Sequence, residues 1–272
     1  MLLLIGVLIG LMLGLTGAGG SVFAVPLLML LAGLPMTDAV GLSLGAVAAS
    51  TFYGSARLSL RQRTILWKPG VILAVVGAIM APFGKWLGLQ IPEPWLLASF
   101  SFLAAVIAGR MWHTAKHDPQ AAQVVRAGNF TQTPPPDLLC NLSKTGQFEL
   151  RPRCVSGLLV GGVVVGLLSG LFGVGGGFLI VPLLLILSPI SMAQAVSTSL
   201  MIIALVSSSG FISHLLMTEH NPWRLLGLIA AGGVLGMVAG QAIGDKIANA
   251  LLQKIFAVCL LAIALVTLIS KM

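Results

Sequence analysis

Glycine, serine and histidine are the residues of this chain whose types and spacing could do chemistry. Gly17, Gly19 and Gly20 sit in the middle of an apolar run, followed by Ser21 and then by Pro26. Gly173, Gly175, Gly176 and Gly177 repeat the cluster, again followed by a proline, Pro182. A helix interrupted there would expose, where it restarts, backbone N–H groups without intrahelical partners and the positive end of its dipole, a ready site for an anion. Glycine suits such a break because the backbone must reach φ > 0 and let a ligand approach with no Cβ in the way. Pro26 and Pro182 would mark or kink the restarted helix. The competing account is close helix packing through small residues. It fits the i, i+4 pairs Gly10/Gly14 and Gly166/Gly170 better than the denser clusters.

Hydroxyls supply a second set of polar contacts. Ser43, Ser50, Thr51, Tyr53 and Ser55 fall in one apolar unit, and Ser197, Thr198, Ser199, Ser207, Ser208 and Ser209 in another. Singly each could simply bond its own preceding turn; together they offer donors opposite both glycine breaks, and Ser43 and Ser199 stand at equivalent positions. His214 is the candidate for proton coupling, being a titratable group inside an apolar unit. Arg57 and Lys85 are expected to snorkel to the interface, and Asp38 to cap a helix N-terminus. The cysteines Cys140, Cys154 and Cys259 show neither C-x-x-C pairing nor a histidine at ligand spacing, so neither a metal nor a cofactor is expected. Cys140 and Cys154 could bridge, but in a cytoplasmic linker they would be kept reduced.

The elements that must position these residues are membrane helices. The chain is 57% hydrophobic and only 8% charged, with a mean hydropathy of +1.05. Soluble domains carry about a quarter charged residues. The apolar stretches run about 2–32, 38–57, 70–90 and 95–113, then 154–188, 192–217, 223–244 and 251–270. They are long and continuous rather than alternating, so helices are indicated and a barrel is not. The class is an all-α polytopic membrane protein. The apolar start, Met1 to Ala18, is no secretory signal, since it lacks a positive n-region and its pattern recurs at 158–177. The net charge of +8 belongs to loops and implies no nucleic-acid partner.

Two homologous repeats make up the chain. The pattern G-x-x-x-G-x-x-G-x-G-G-x-x-x-x-x-P-L-L occupies 10–28 and again 166–184, and the same shift of 156 carries Met36 onto Met192, Ser43 onto Ser199, Gly54 onto Gly210, Trp67 onto Trp223 and Gly84 onto Gly240. Each repeat, 1–113 and 153–272, has four hydrophobic units, the first broken at its glycine cluster. Between them, 114–152 reads as a water-exposed linker. Arg57, Arg61, Arg63 and Lys68 crowd one loop of the first repeat, whereas in the second repeat Lys246 and Lys254 crowd the following loop. By the positive-inside tendency this swap favours inverted repeats, with the 57–68 loop and the linker in the cytoplasm. Two broken helices, one per half, point to a transporter site where the halves meet.

The doubled glycine and proline blocks at 10–28 and 166–184, each opening a half of the chain on either side of a hydrophilic connector, resemble the sulfite exporter TauE/SafE family. That resemblance implies a secondary transporter of small sulfur-containing anions, such as sulfite, sulfoacetate or other organosulfonates, in a bacterial inner membrane. By matching positions the family motif falls on Gly17, Gly19, Gly20 and Pro26, and on Gly173, Gly175, Gly176 and Pro182. Ser21 against Gly177 is the mismatch inside the block, so the two halves would touch the substrate unequally. The expected partners are the lipid bilayer, a small anion, a proton as coupling ion and a second copy in a homodimer. An anion channel is the alternative. An intramembrane hydrolase would have to use Ser209 with His214, and no enzyme activity is expected.

Overall fold

The computed structural model describes residues 1–16, 19–62, 65–117, 140–142, 148–149, 152–188, 190, 192–218, 223–244, 258 and 262. Most of the expected linker and of the unit 251–270 lies outside the described residues, as do Gly17 and Cys259.

The first apolar run does not form one helix. α1 (Leu2–Thr16) stops before the glycine cluster, a 3-10 segment covers Gly19–Phe23, and α2 (Ala24–Ala32) ends on Gly33, whose φ is 65°. α3 (Met36–Gln62), α4 (Trp67–Gln90) and α5 (Glu93–His117) follow. A two-stranded antiparallel hairpin, β1 (Asn141–Leu142) with β2 (Phe148–Glu149), precedes α6 (Pro152–Phe172). Then come α7 (Gly177–Leu187), α8 (Met192–Met217) and α9 (Trp223–Gly244). Among the described residues five stretches are long and apolar enough to cross a membrane: Met36–Ser59, Trp67–Gln90, Pro152–Phe172, Gln194–Met217 and Arg224–Ile243. A hydrocarbon core of about 30 Å needs about 20 helical residues. α1, with 15, and α7, with 11, are too short to cross alone.

Glycines set the packing. A β-carbon on Gly6, Gly10 or Gly14 of α1 would run into the backbone at Ile229, Gly233 or Met237 of α9. One on Gly166 or Gly170 of α6 would run into the backbone of Gly77 or Ala81 of α4, and one on Gly162 would meet Val76 and the Leu73 carbonyl. Partner numbers rise together in both sets, so α1 runs parallel to α9 and α6 parallel to α4. Moving each partner by 156 turns one set into the other. These small-residue seams explain Gly10, Gly14, Gly166 and Gly170 as packing residues, since backbones this close leave no room for a side chain.

α3 and α8 cross at the centre. Gly41 packs on His214 and Gly45 on Phe211, so here the numbers run in opposite senses and the helices are antiparallel. Gly70 against Met201 and Gly77 against Val206 set α4 parallel to α8, and Gly45 against Leu226 with Gly54 against Met237 set α9 parallel to α3. It follows that α1 and α3 point the same way, as do α6 and α8. The chain must therefore turn back between them, and it does: Gly157 and Gly161 of α6 pack on Leu187 and Leu183 of α7, so the broken unit of the second half is a helical hairpin. The outer surface is apolar, with Val71, Val75, Ile79 and Phe83 forming an exposed stripe on α4 that suits lipid.

Three sequence expectations need correction. Lys85 does not snorkel: it is 2% exposed, and its Nζ donates to the Thr37 carbonyl at 2.9 Å, because the N-terminal turn of α3 covers it. Asp38 is not an N-cap but lies within the first turn of α3, which begins at Met36. The Met36 N–H instead donates to Glu93 Oε1 across the fold, at 3.3 Å. Cys140 and Cys154 are joined in a disulfide, their Cα atoms 4.9 Å apart. The Cys140 N–H donates to the Leu187 carbonyl at the foot of α7, which brings Cys140 to the first turn of α6 where Cys154 sits.

Candidate functional site

The glycine turn of the second half is built by backbone conformation. Gly173, Gly175 and Gly176 take φ of 68°, 68° and 69°, the left-handed region that side chains disfavour. Gly176 caps α7, which begins at Gly177, and its carbonyl accepts from the Leu179 and Ile180 N–H groups at 3.0 and 3.2 Å. The turn thus ends in a helix N-terminus, where the first N–H groups lack intrahelical acceptors.

α3 and α8 clasp this turn. Ser43 Oγ donates to the Gly173 carbonyl at 2.8 Å and to the Val40 carbonyl at 2.8 Å. A β-carbon on Gly173 would lie 2.7 Å from Ser43 Oγ and 2.8 Å from Val40 Cα, and one on Gly175 would lie 2.8 Å from Ser207 Oγ and 3.1 Å from Val47 Cγ1. Glycine is needed here for close approach as well as for φ. The contact joins residues of the two halves, and Ser43, Ser199 and Ser207 are all shut off from solvent.

The first half is built differently. Gly20 packs its α-carbon onto the backbone of Met12 and Leu13, and its N–H donates to Thr16 Oγ1 at 2.8 Å, while Thr16 Oγ1 donates to the Met12 carbonyl at 2.7 Å. Its glycine is required by close approach, and a 3-10 segment containing Gly19, Gly20 and Ser21 stands where an α-helix restarting at Ser21 is expected. Ser21 is fully buried. Ser199 Oγ donates to the Val196 carbonyl at 2.8 Å, the counterpart of the Ser43 bond to Val40; the counterpart of Gly173 is Gly17, outside the described residues. Pro26 is in the first turn of α2, where its missing N–H removes no helical bond. Pro182 is inside α7, on the wall of a groove of about 500 Å³ that it shares with Arg153, Gly161 and Leu183.

Most of the remaining hydroxyls serve their own helices. Ser50, Thr51 and Ser208 donate to the carbonyls of Ala46, Val47 and Ala204. Ser209 donates across to the Ala78 carbonyl at 2.5 Å, and His214 Nδ1 lies 3.3 Å from Thr218 Oγ1, so Ser209 and His214 are not paired as a nucleophile and base. The His214 ring lies against Gly41, next to Val40 at the glycine turn, within electrostatic reach of Lys85 and Asp38. Sequence reasoning missed the special position of Ser207 and the burial of Lys85. A run of three serines carries no signal of which hydroxyl is left over.

A family model described as "Sulfite exporter TauE/SafE" matches residues 2–267. The chain belongs to the TauE/SafE family. A Xylella fastidiosa protein named "Probable membrane transporter protein" is 29% identical over 96% of this chain and 91% of its own length. "Probable membrane transporter protein YdhB" of Bacillus subtilis is 29% identical over 92% and 90%. "Probable membrane transporter protein MJ0441" of Methanocaldococcus jannaschii is 24% identical over 94% and 86%. No solved structure matches the chain. This TauE/SafE protein is a membrane transporter with transmembrane helices.

Proposed function

We propose that this TauE/SafE protein is a secondary transporter of small sulfur-containing anions, sulfite or short organosulfonates, across the cell membrane. The observation that carries the reading is the Ser43 bond to Gly173, which locks a left-handed glycine turn and the helix N-terminus behind it onto the opposite half of the chain. A helix N-terminus without a β-carbon in front of it is a favourable place for an anionic oxygen. Its enclosure between halves supports alternating access, in which the site opens to one side at a time.

The helix directions support an inverted repeat, because α3 and α8, equivalent by the shift of 156, are antiparallel. They also sort the charges. Arg57, Arg61, Lys68 and Arg153 gather at one end of the described helices, while Asp38, Glu93, His214, Lys85 and Arg224 gather at the other, where the acidic pair offsets the two cations. The basic end is assigned to the cytoplasm by the positive-inside tendency. His214, beside the glycine turn, is the group assigned to proton coupling.

The deciding experiment is counterflow of labelled sulfite and methanesulfonate into proteoliposomes, with the natural protein and the Gly173→Ala and Ser43→Ala variants. Saturable flux that both substitutions reduce supports a carrier using this turn. Flux that never saturates would instead indicate a channel, and flux indifferent to both variants would move the site elsewhere.

A further inference from the structure

Among the described residues a few buried side chains, Ser169, Ser207 and Gln241 among them, hold polar atoms without a partner, and of these the Ser207 hydroxyl is the one that meets Gly175 of the glycine turn. Ser207 is 0% exposed and its Oγ has no hydrogen-bond partner. A serine in a helix normally has the carbonyl four residues back within reach, and its neighbour Ser208 uses that option with Ala204 at 2.6 Å. So does Thr51, which the shift of 156 makes the counterpart of Ser207, bonding Val47 at 2.6 Å. Ser207 instead faces the glycine turn: a β-carbon on Gly175 would lie 2.8 Å from its oxygen, 3.1 Å from Ile203 Cγ2 and 3.1 Å from Val47 Cγ1. A buried hydroxyl without a partner is costly to keep. The geometry points to a ligand that would complete it.

We propose that Ser207 is the specificity-determining donor of the substrate site, reaching one oxygen of the bound anion beside the N-terminus of α7. This rests on the transporter reading and sharpens it. With Ser207 unpaired on α8 and Thr51 already bonded on α3, the site has its polar end on the second half only. The walls near that donor are the methyl groups of Val47 and Ile203. Such a site selects a one-ended oxyanion, a sulfonate carrying a small apolar group, over an anion that needs donors all round, such as sulfate.

The test uses purified full-length protein in detergent and in proteoliposomes, with methanesulfonate and sulfate as probes and Ser207→Ala compared with Ser208→Ala. Loss of a hydrogen bond to a charged group predicts a rise in the methanesulfonate KM of about tenfold or more for Ser207→Ala, with Ser208→Ala unchanged. Because the hydroxyl has no partner in the protein, Ser207→Ala without ligand should unfold at the same temperature as the natural protein or higher. Its stabilisation by methanesulfonate should shrink, and sulfate should stabilise neither protein. A lowered melting temperature without ligand, with the methanesulfonate shift and flux intact, would overturn the assignment while leaving the transporter reading in place. If the natural protein neither carries nor is stabilised by methanesulfonate but does carry sulfite, the sulfonate preference fails. If it carries neither anion, the transporter reading and this assignment fall together.

Discussion

Lys85 shows how much one side chain can weigh inside a membrane. Its ammonium ends on the Thr37 carbonyl, one helical turn from Val40, whose Cα meets the glycine turn. A fixed cation there raises the local concentration of anions in a low-dielectric setting. A buried ammonium held by a backbone carbonyl carries a desolvation cost that an apolar side chain of similar size does not. Lys85→Met is therefore expected to keep its melting temperature within a few degrees while slowing sulfite counterflow several-fold, which thermal unfolding and flux measured on the same preparation would check. Sequence reading placed this lysine at the interface because distance from a helix end is visible in the sequence, whereas the covering turn of α3 is not. Glycines divide by the same logic. Gly176→Ala forces an alanine into φ near 69° and is expected to destabilise by about 1–3 kcal/mol. Gly227→Ala, on exposed α9 with nothing within 4 Å of an added β-carbon, should stabilise by about 0.5–1 kcal/mol. Denaturation midpoints of the two variants should move in opposite directions.

At the level of elements, the periodicity of the glycines was legible and their partners were not. Gly10/Gly14 and Gly166/Gly170 read correctly as packing faces because i, i+4 glycines make a flat stripe, yet a stripe does not name the helix that will lie in it. α1 pairs with α9 and α6 with α4, each across the halves, and only long-range folding sets that choice. In the dense cluster of the first half Gly20 serves contact with α1, and Gly17, the counterpart of the left-handed Gly173, lies outside the described residues. Gly10→Leu and Gly166→Leu should each abolish recovery of a monodisperse protein from detergent, since the clash is with backbone that cannot rotate away. The Cys140–Cys154 bond ties the end of the linker to the root of the α6–α7 hairpin. It sits at the basic end, and there two signals disagree: the charges favour the cytoplasm, and a disulfide favours an oxidising compartment. The cytoplasmic assignment proposed above for the basic end and the disulfide therefore predict opposite states for this pair. On the reducing side the pair should be thiols at rest and close under oxidation. Under the proposed cytoplasmic assignment a permeant maleimide applied to growing cells should modify both cysteines, whereas protection of both, as the disulfide gives, would reverse the orientation.

Among the described residues the two halves interlock, their buried apolar side chains forming one shared core. α3 and α8 cross antiparallel at the centre, with the other helices laid along them in pairs that the shift of 156 interchanges. An architecture of this kind can present one site to two sides by moving one half of its contacts into the arrangement now held by the other half. Lys68 and Arg224 test the inversion directly. They are equivalent by the same shift, both exposed, and each is the second residue of its helix, α4 or α9. If the repeats were parallel, the two positions would share a side of the membrane. Inverted repeats put them on opposite sides, and the basic end puts Lys68 in the cytoplasm. In a background with the three native cysteines replaced by serine, an impermeant maleimide added to intact cells should label Arg224→Cys and spare Lys68→Cys until the membrane is opened. Labelling of both, or of neither, would overturn the inversion; the reverse pattern would keep it and turn the molecule over, placing the linker outside, where the Cys140–Cys154 bond would be stable.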